Sequence, residues 1–214
     1  MQAAVAATAL KNGRFGLLGH LYPGMLDIST DPTLVSAQLG GHIEVLEMDD
    51  LRVRVEAATD SQVEAVLDRT RSIFDLDDSV VQEDLVWGAR CAVGLQALTT
   101  DFNLDSLAYY YRGLGGELYE RLGAGLILGA SLLTGDGIPC AGEFDLRTSL
   151  AMLVLDRLGA GGSFTEFQAI NFDDGVVEMG HDGPAHLAIS AGRPVLRGLG
   201  TFHGKRGYGV SVQF

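Results

Sequence analysis

The chain has 214 residues, 47% of them apolar, and a formal net charge of −13. That length accommodates one large domain or two small ones with a sizeable core. The acidic balance argues against nucleic acid as a partner, because nucleic-acid binders carry a basic stripe, and no apolar window is long enough for a membrane-spanning helix.

The two cysteines, Cys91 and Cys140, show neither CxxC pairing nor zinc spacing, which points to a reducing, cytoplasmic compartment. Residues 2–10 are Ala-rich and helix-prone, and Asn12-Gly13 closes them as a C-cap pair. They lack the basic start and long hydrophobic run of a secretory signal. Residues 14–18 read as a buried strand opening onto Gly19-His20-Leu21-Tyr22-Pro23-Gly24. Glycines after a strand often form a ligand-facing loop in α/β proteins. The loop is not a GxGxxG fingerprint, so no dinucleotide is expected. His20 is either a substrate contact or a loop histidine with no further role.

Asp31 as N-cap and Pro32 at the first helical position predict a helix through Leu39, closed by Gly40-Gly41. A strand over 42–48 and a short helix within 49–58 follow. Thr59-Asp60-Ser61 caps a helix to about Phe74, with Val63, Val66, Leu67 and Thr70 on one face. Residues 75–79 read as a solvated acidic loop. A long helix spans 80–99 and a strand-like stretch 104–111, where Tyr109, Tyr110 and Tyr111 either pack or line a pocket. The glycine-rich stretch 113–125 holds a short helix around Leu118, 126–133 is a helix or a strand, and 135–142 is a loop.

From Glu143 a helix runs to about Leu158, with Leu146, Leu150, Leu153 and Val154 on one face, and glycines at 159–162 stop it. The period then changes. Residues 163–172, 176–179, 186–190, 195–199 and 208–214 read as short strands at hairpin spacing, with turns at 173–175, 182–184, 191–193 and 203–207. The last strand has no evident closing partner. The expected fold class is therefore α/β: an open doubly wound sheet with flanking helices over 13–160, then an antiparallel, barrel-like β-rich domain over 161–214.

Candidate chemistry lies between residues 140 and 186. Glu166 follows Glu143 by 23 residues and His181 follows Glu166 by 15, so only the fold could bring them together. Two carboxylates and an imidazole suit a hard divalent cation, Mn²⁺ or Mg²⁺, with positions left open for a substrate. Each residue also has an ordinary structural role available. Glu143 suits the first turn of a helix, Glu166 the outer face of an alternating strand with Phe164 and Gln168, and His181 the approach to an Asp182-Gly183-Pro184 turn.

The run Ala141-Gly142-Glu143-Phe144-Asp145, a helix, Gly162-Ser163-Phe164-Thr165-Glu166 and then Gly180-His181 resembles the metal-site framework of the L-arabinose isomerase and L-fucose isomerase superfamily. The resemblance implies Glu143 and Glu166 as catalytic carboxylates and metal ligands, His181 as a further ligand, and Mn²⁺ as the metal. It implies a metal-dependent aldose–ketose isomerase acting through an enediol on a free pentose or 6-deoxyhexose. It also implies a homo-oligomer, trimeric or hexameric. Asp145 or Asp182 could fix the His181 tautomer. This chain has Phe144 where the arabinose enzymes carry glycine. It lacks the family's later histidine ligand, a role His186 and His203 are misplaced to fill. The resemblance therefore implies a fragment, inactive by itself, with residues 1–12 the tail of a helix from a preceding domain, 13–160 the central domain and 161–214 the opening of a C-terminal one. A non-catalytic sugar-binding relative and an unrelated metal-dependent hydrolase are the alternative readings.

Overall fold

The computed structural model describes residues 1–112, 117–202 and 205–213. A parallel sheet of order β2-β1-β4-β5 forms its centre, built from β1 (Arg14–Gly19), β2 (His42–Leu46), β4 (Ser106–Tyr110) and β5 (Cys140–Ala141). Alternation along these strands sends side chains to two separate cores. Phe15, Leu17, Ala108 and Ala141 face one side, where α1 (Gln2–Asn12), α2 (Pro32–Leu39) and α8 (Leu146–Arg157) supply Leu10, Val35, Leu150 and Leu153. Leu18, Leu46, Leu107 and Tyr109 face the other. There they meet Leu51 and Val55 of α3 (Met48–Ala57), Leu95 and Leu98 of α5 (Gln82–Asp101), Leu122 of α6 (Leu118–Ala124) and Leu126 and Leu133 of α7 (Leu126–Gly135). The sheet is covered on both faces, as a doubly wound α/β fold requires.

Helix starts follow their local chemistry. The Asp31 carboxylate accepts from the N–H groups of Thr33 and Leu34, at 2.8 and 3.4 Å, with Pro32 at the first helical position and Gly40 left-handed (φ 91°) at the other end. Ahead of α4 (Asp60–Ile73), Thr59 and Gln62 cap each other reciprocally. The apolar run after Gly125, open to either reading in the sequence, is the helix α7. It is buried from residue 126 to 134 because it lies between two layers.

The second layer is a sheet of order β11-β8-β3, formed by β3 (Asp75–Leu76), β8 (Val195–Gly198) and β11 (Val210–Gln213). Leu196, Val210 and Val212 pack on Val63 and Leu67 of α4, Leu85 and Ala89 of α5, and Ile127, Leu128 and Leu132 of α7. Residues on both sides of position 160 thus share one core. Three expectations are corrected here. The acidic stretch after Phe74 is exposed as expected but opens as a strand: Asp75 and Leu76 pair in parallel with Val195 and Leu196, and Arg193 holds the Asp75 carboxylate at 2.7 Å. The last strand has a partner, since β11 runs antiparallel to β8. Residues Leu187–Ile189 form a 3-10 turn rather than a strand, capped by the His186 ring, which accepts from the Ala188 N–H at 3.2 Å.

Two hairpins complete the fold. β6 (Glu166–Asn171) and β7 (Val176–Gly180) are antiparallel, and so are β9 (Thr201–Phe202) and β10 (Lys205–Arg206). The first turns because the Asn171 side chain accepts from the Asp173 and Asp174 N–H groups and Gly175 takes φ 64°. The turn expected over 203–207 is shortened by β10, and His203, Gly204, Phe214 and the glycine-rich start at 113–116 lie outside the described residues. Among the described residues, no helix is long and apolar enough to cross a membrane.

Candidate metal centre

Glu143, Glu166 and His181 come together. Each offers a donor atom within 4.8 Å of the other two. Two separate local devices achieve this.

Glu143 is not the first-turn helix residue its position suggests. It sits in a tight turn between β5 and α8, where Glu143 and Phe144 are both left-handed, with φ 59° and 65°. L-residues avoid this region by roughly 1–2 kcal/mol each, and such strain concentrates at functional sites. The turn is tied down on all sides. Phe144 N–H donates to the Tyr109 carbonyl at 3.1 Å, Asp145 N–H to the Gly142 carbonyl at 3.0 Å, and the Asp145 carboxylate caps α8 through the Thr148 N–H at 3.1 Å. Gly142 leaves room for the rings, since a Cβ there would stand 3.0 Å from the Phe164 ring and 3.4 Å from the His181 ring and press on both.

Glu166 and His181 converge because of strand register. Glu166 begins β6 directly opposite Gly180, the last residue of β7, and His181 follows. The hairpin thus closes the 15-residue separation. The His181 ring stands edge-on to Phe164, with centroids 4.6 Å apart at 80°, and its Nε2 lies 3.8 Å from Oε1 of Glu143. Its Nδ1 is buried with no hydrogen-bond partner among the described residues. Asp145 is committed to its cap, and so does not fix the tautomer of that ring.

These residues line a cavity of about 640 Å³ between the C-terminal edge of the parallel sheet and the hairpin. That edge is where open α/β sheets place ligands. Tyr22, Tyr109, Tyr110 and Tyr111 also line the cavity, with Gln168, Asp182 and Thr201. The tyrosine triplet that the sequence left between packing and pocket does line it. Burial, helped by Tyr22 and the Glu143 charge, pushes the Tyr110 phenol up to about 12, so it remains a protonated hydrogen-bond donor. Sequence reasoning reached Tyr22 only through its place in the glycine loop after β1, and missed Gln168 and Thr201 as lining residues. For Gln168 a signal existed, its position two residues after Glu166 on one strand.

His20 is not among the residues lining this cavity. It lies in an adjoining cleft with Glu47, Asp49 and Tyr119. Its Nδ1 is 2.9 Å from the Leu21 carbonyl and its Nε2 is 3.2 Å from the Arg112 N–H, so one neutral tautomer serves both. The ring edge contacts Tyr110 and Tyr111. In this arrangement His20 ties the loop after β1 to the segment after β4.

Fold and site together define an α/β protein with two carboxylates and an imidazole gathered at the C-terminal edge of a parallel sheet. No family model matches the chain. It is similar to three curated proteins named L-arabinose isomerase. It is 24% identical to that of Clavibacter sepedonicus over 75% of this chain and 32% of the relative, and to that of Acidothermus cellulolyticus over the same shares. It is 24% identical to that of a Nocardioides species over 91% of this chain and 40% of the relative. The chain thus spans 32% to 40% of the length of these curated relatives.

Proposed function

We propose that this chain carries the catalytic centre of a divalent-metal-dependent aldose–ketose isomerase acting on a free pentose or 6-deoxyhexose. The observation that carries the reading is the convergence of Glu143, Glu166 and His181 within 4.8 Å on one tyrosine-walled cavity. Low-identity relatives named as sugar isomerases support it.

The donor set fits a hard cation. Two carboxylates and one imidazole suit Mn²⁺ or Mg²⁺ and leave positions for substrate oxygens. The Glu143 and His181 side chains are only 12% and 17% exposed, so both donors are largely withdrawn from bulk solvent. When bound, such a cation supplies Lewis-acid polarisation of a carbonyl and its neighbouring hydroxyl. Glu143 and Glu166, approaching the sugar from the sheet side and the hairpin side, act as base and acid. One removes the proton from C2 and the other returns a proton to C1, while the C2 hydroxyl proton passes to the C1 oxygen, so the aldehyde becomes a hydroxyl and C2 a carbonyl by way of an enediol. Tyr110 donates to a sugar hydroxyl, and the tyrosine faces stack on the sugar's C–H surface.

The test is ketose formation by the full reading frame that encodes this chain, given a panel of aldopentoses and 6-deoxyhexoses with Mn²⁺ or with EDTA. Mn²⁺-dependent ketose from at least one sugar is expected. No ketose from any of them, or a rate that EDTA leaves unchanged, contradicts the reading.

A further inference from the structure

We propose that Gln168 is the positioning residue of this site, its carboxamide fixing the Glu166 carboxylate relative to the backbone that carries His181. The inference rests on the reading of Glu143, Glu166 and His181 as one cation site.

The hairpin is irregular at one place. Phe167 pairs with Met179 and Ala169 with Glu178, so the first strand advances two residues while the second advances one. Gln168 is the extra residue of a β-bulge. Bulges bend a strand and re-aim a side chain, and they cluster beside active sites. The bulge here leaves the Gln168 side chain lining the same cavity as Glu166, Gly180 and His181.

Its carboxamide then meets both halves of the hairpin end. The Gln168 Nε2 donates to the Gly180 carbonyl at 3.1 Å and reaches Oε2 of Glu166 at 3.5 Å. A carboxamide nitrogen has two hydrogens, so both acceptors are served at once. The Gly180 carbonyl belongs to the peptide that enters His181, so holding it holds the origin of the imidazole. Beyond that point the ring meets Phe164 edge-on, the Glu143 carboxylate 3.8 Å from its Nε2, and Gly183, which passes so close that a Cβ there would lie 2.4 Å from Nδ1. Gln168 therefore supplies a polar link between Glu166 and His181.

The experiment is calorimetric titration of Mn²⁺ alone into the chain and into its Gln168→Met, Gln168→Ala and Glu166→Gln variants, with urea unfolding measured for each. Methionine keeps roughly the length and volume of glutamine and removes the polar atoms of its carboxamide, so a space-filling role would survive it. Loss of a partner that orients a ligand commonly weakens metal binding ~10–100-fold. At the long 3.5 Å contact the low end is expected, about 10-fold for Met and Ala alike, with unfolding midpoints unchanged. If wild type binds Mn²⁺ and Glu166→Gln weakens it while Gln168→Met binds as wild type does, the positioning role is overturned and the site stands. If wild type binds no Mn²⁺, the site reading fails and this inference fails with it. Should Gln168→Met not fold, Gln168→Ala makes the same comparison, and unchanged affinity there overturns the role equally.

Discussion

The left-handed turn at Glu143-Phe144 makes a quantitative prediction that no other placement of this segment would make. Phe144→Ala and Phe144→Gly remove the same ring, which packs on the core of Phe15, Leu146, Leu150 and Phe164. That loss cancels when the two variants are compared. What remains is the backbone at φ 65°. Alanine retains a Cβ there at roughly 1–2 kcal/mol, whereas glycine takes the conformation freely. Against this, glycine loses ~0.4–1 kcal/mol more conformational entropy than alanine when the chain folds. At the middle of both ranges the difference leaves Phe144→Gly the more stable variant by about 0.8 kcal/mol, reversing the order found at ordinary positions. For a chain of this size that is a melting midpoint higher by about 2 °C. Urea and thermal unfolding of the two variants measure it side by side. Phe144→Ala more stable than Phe144→Gly would refute the strained turn, and with it the account of how Glu143 is aimed into the cavity.

Glu143→Gln and Glu166→Gln should each abolish isomerisation by the full reading frame, since each removes a charge at the cation and a proton carrier. His181→Ala should mainly weaken metal binding, so excess Mn²⁺ should partly restore its rate; a wild-type rate in either glutamine variant contradicts the assignment. Asp145→Ala should cost about 1 kcal/mol in urea unfolding through loss of the α8 cap, and an unchanged midpoint would show that the cap contributes nothing. Burial pushes the thiols of Cys91 and Cys140 upward, that of Cys140 to about 12. Iodoacetamide should therefore modify neither at pH 8 until the chain is unfolded. Because both thiols hold their protons more tightly when folded, their contribution is complete below the ordinary thiol value of 9.0. It is lost as pH rises through that value toward the folded one, so the unfolding midpoint should fall above pH 9; a flat midpoint from pH 8 to 11 contradicts this.

Local signals in the sequence carried the helices and the site donors far. Asp31-Pro32 and Thr59 mark helix starts that the structure keeps, because capping depends on residues within one turn. Glu166 and His181 were legible because their hairpin is local, closed by Asn171 and Gly175. What was not legible depends on long-range pairing. The two residues of β3 have no strand pattern of their own and become a strand only because β8, far along the chain, offers its edge. β11 finds β8 in the same way. The left-handed conformation of Glu143 opposes the preference of its residue type, and the surrounding hydrogen bonds to Tyr109, Gly142 and Thr148 impose it. The bulge at Gln168 is likewise a property of two strands in register, invisible in either alone.

The most direct test of the central claim is an anomalous difference map from crystals of this chain soaked in Mn²⁺. One strong peak is expected in the cavity, within coordination distance of the Glu143 and Glu166 carboxylates and the His181 imidazole, and lost in crystals of Glu166→Gln. A map with no peak in that cavity, or with its strongest peak elsewhere on the chain, would contradict the claim that these three side chains form one metal centre.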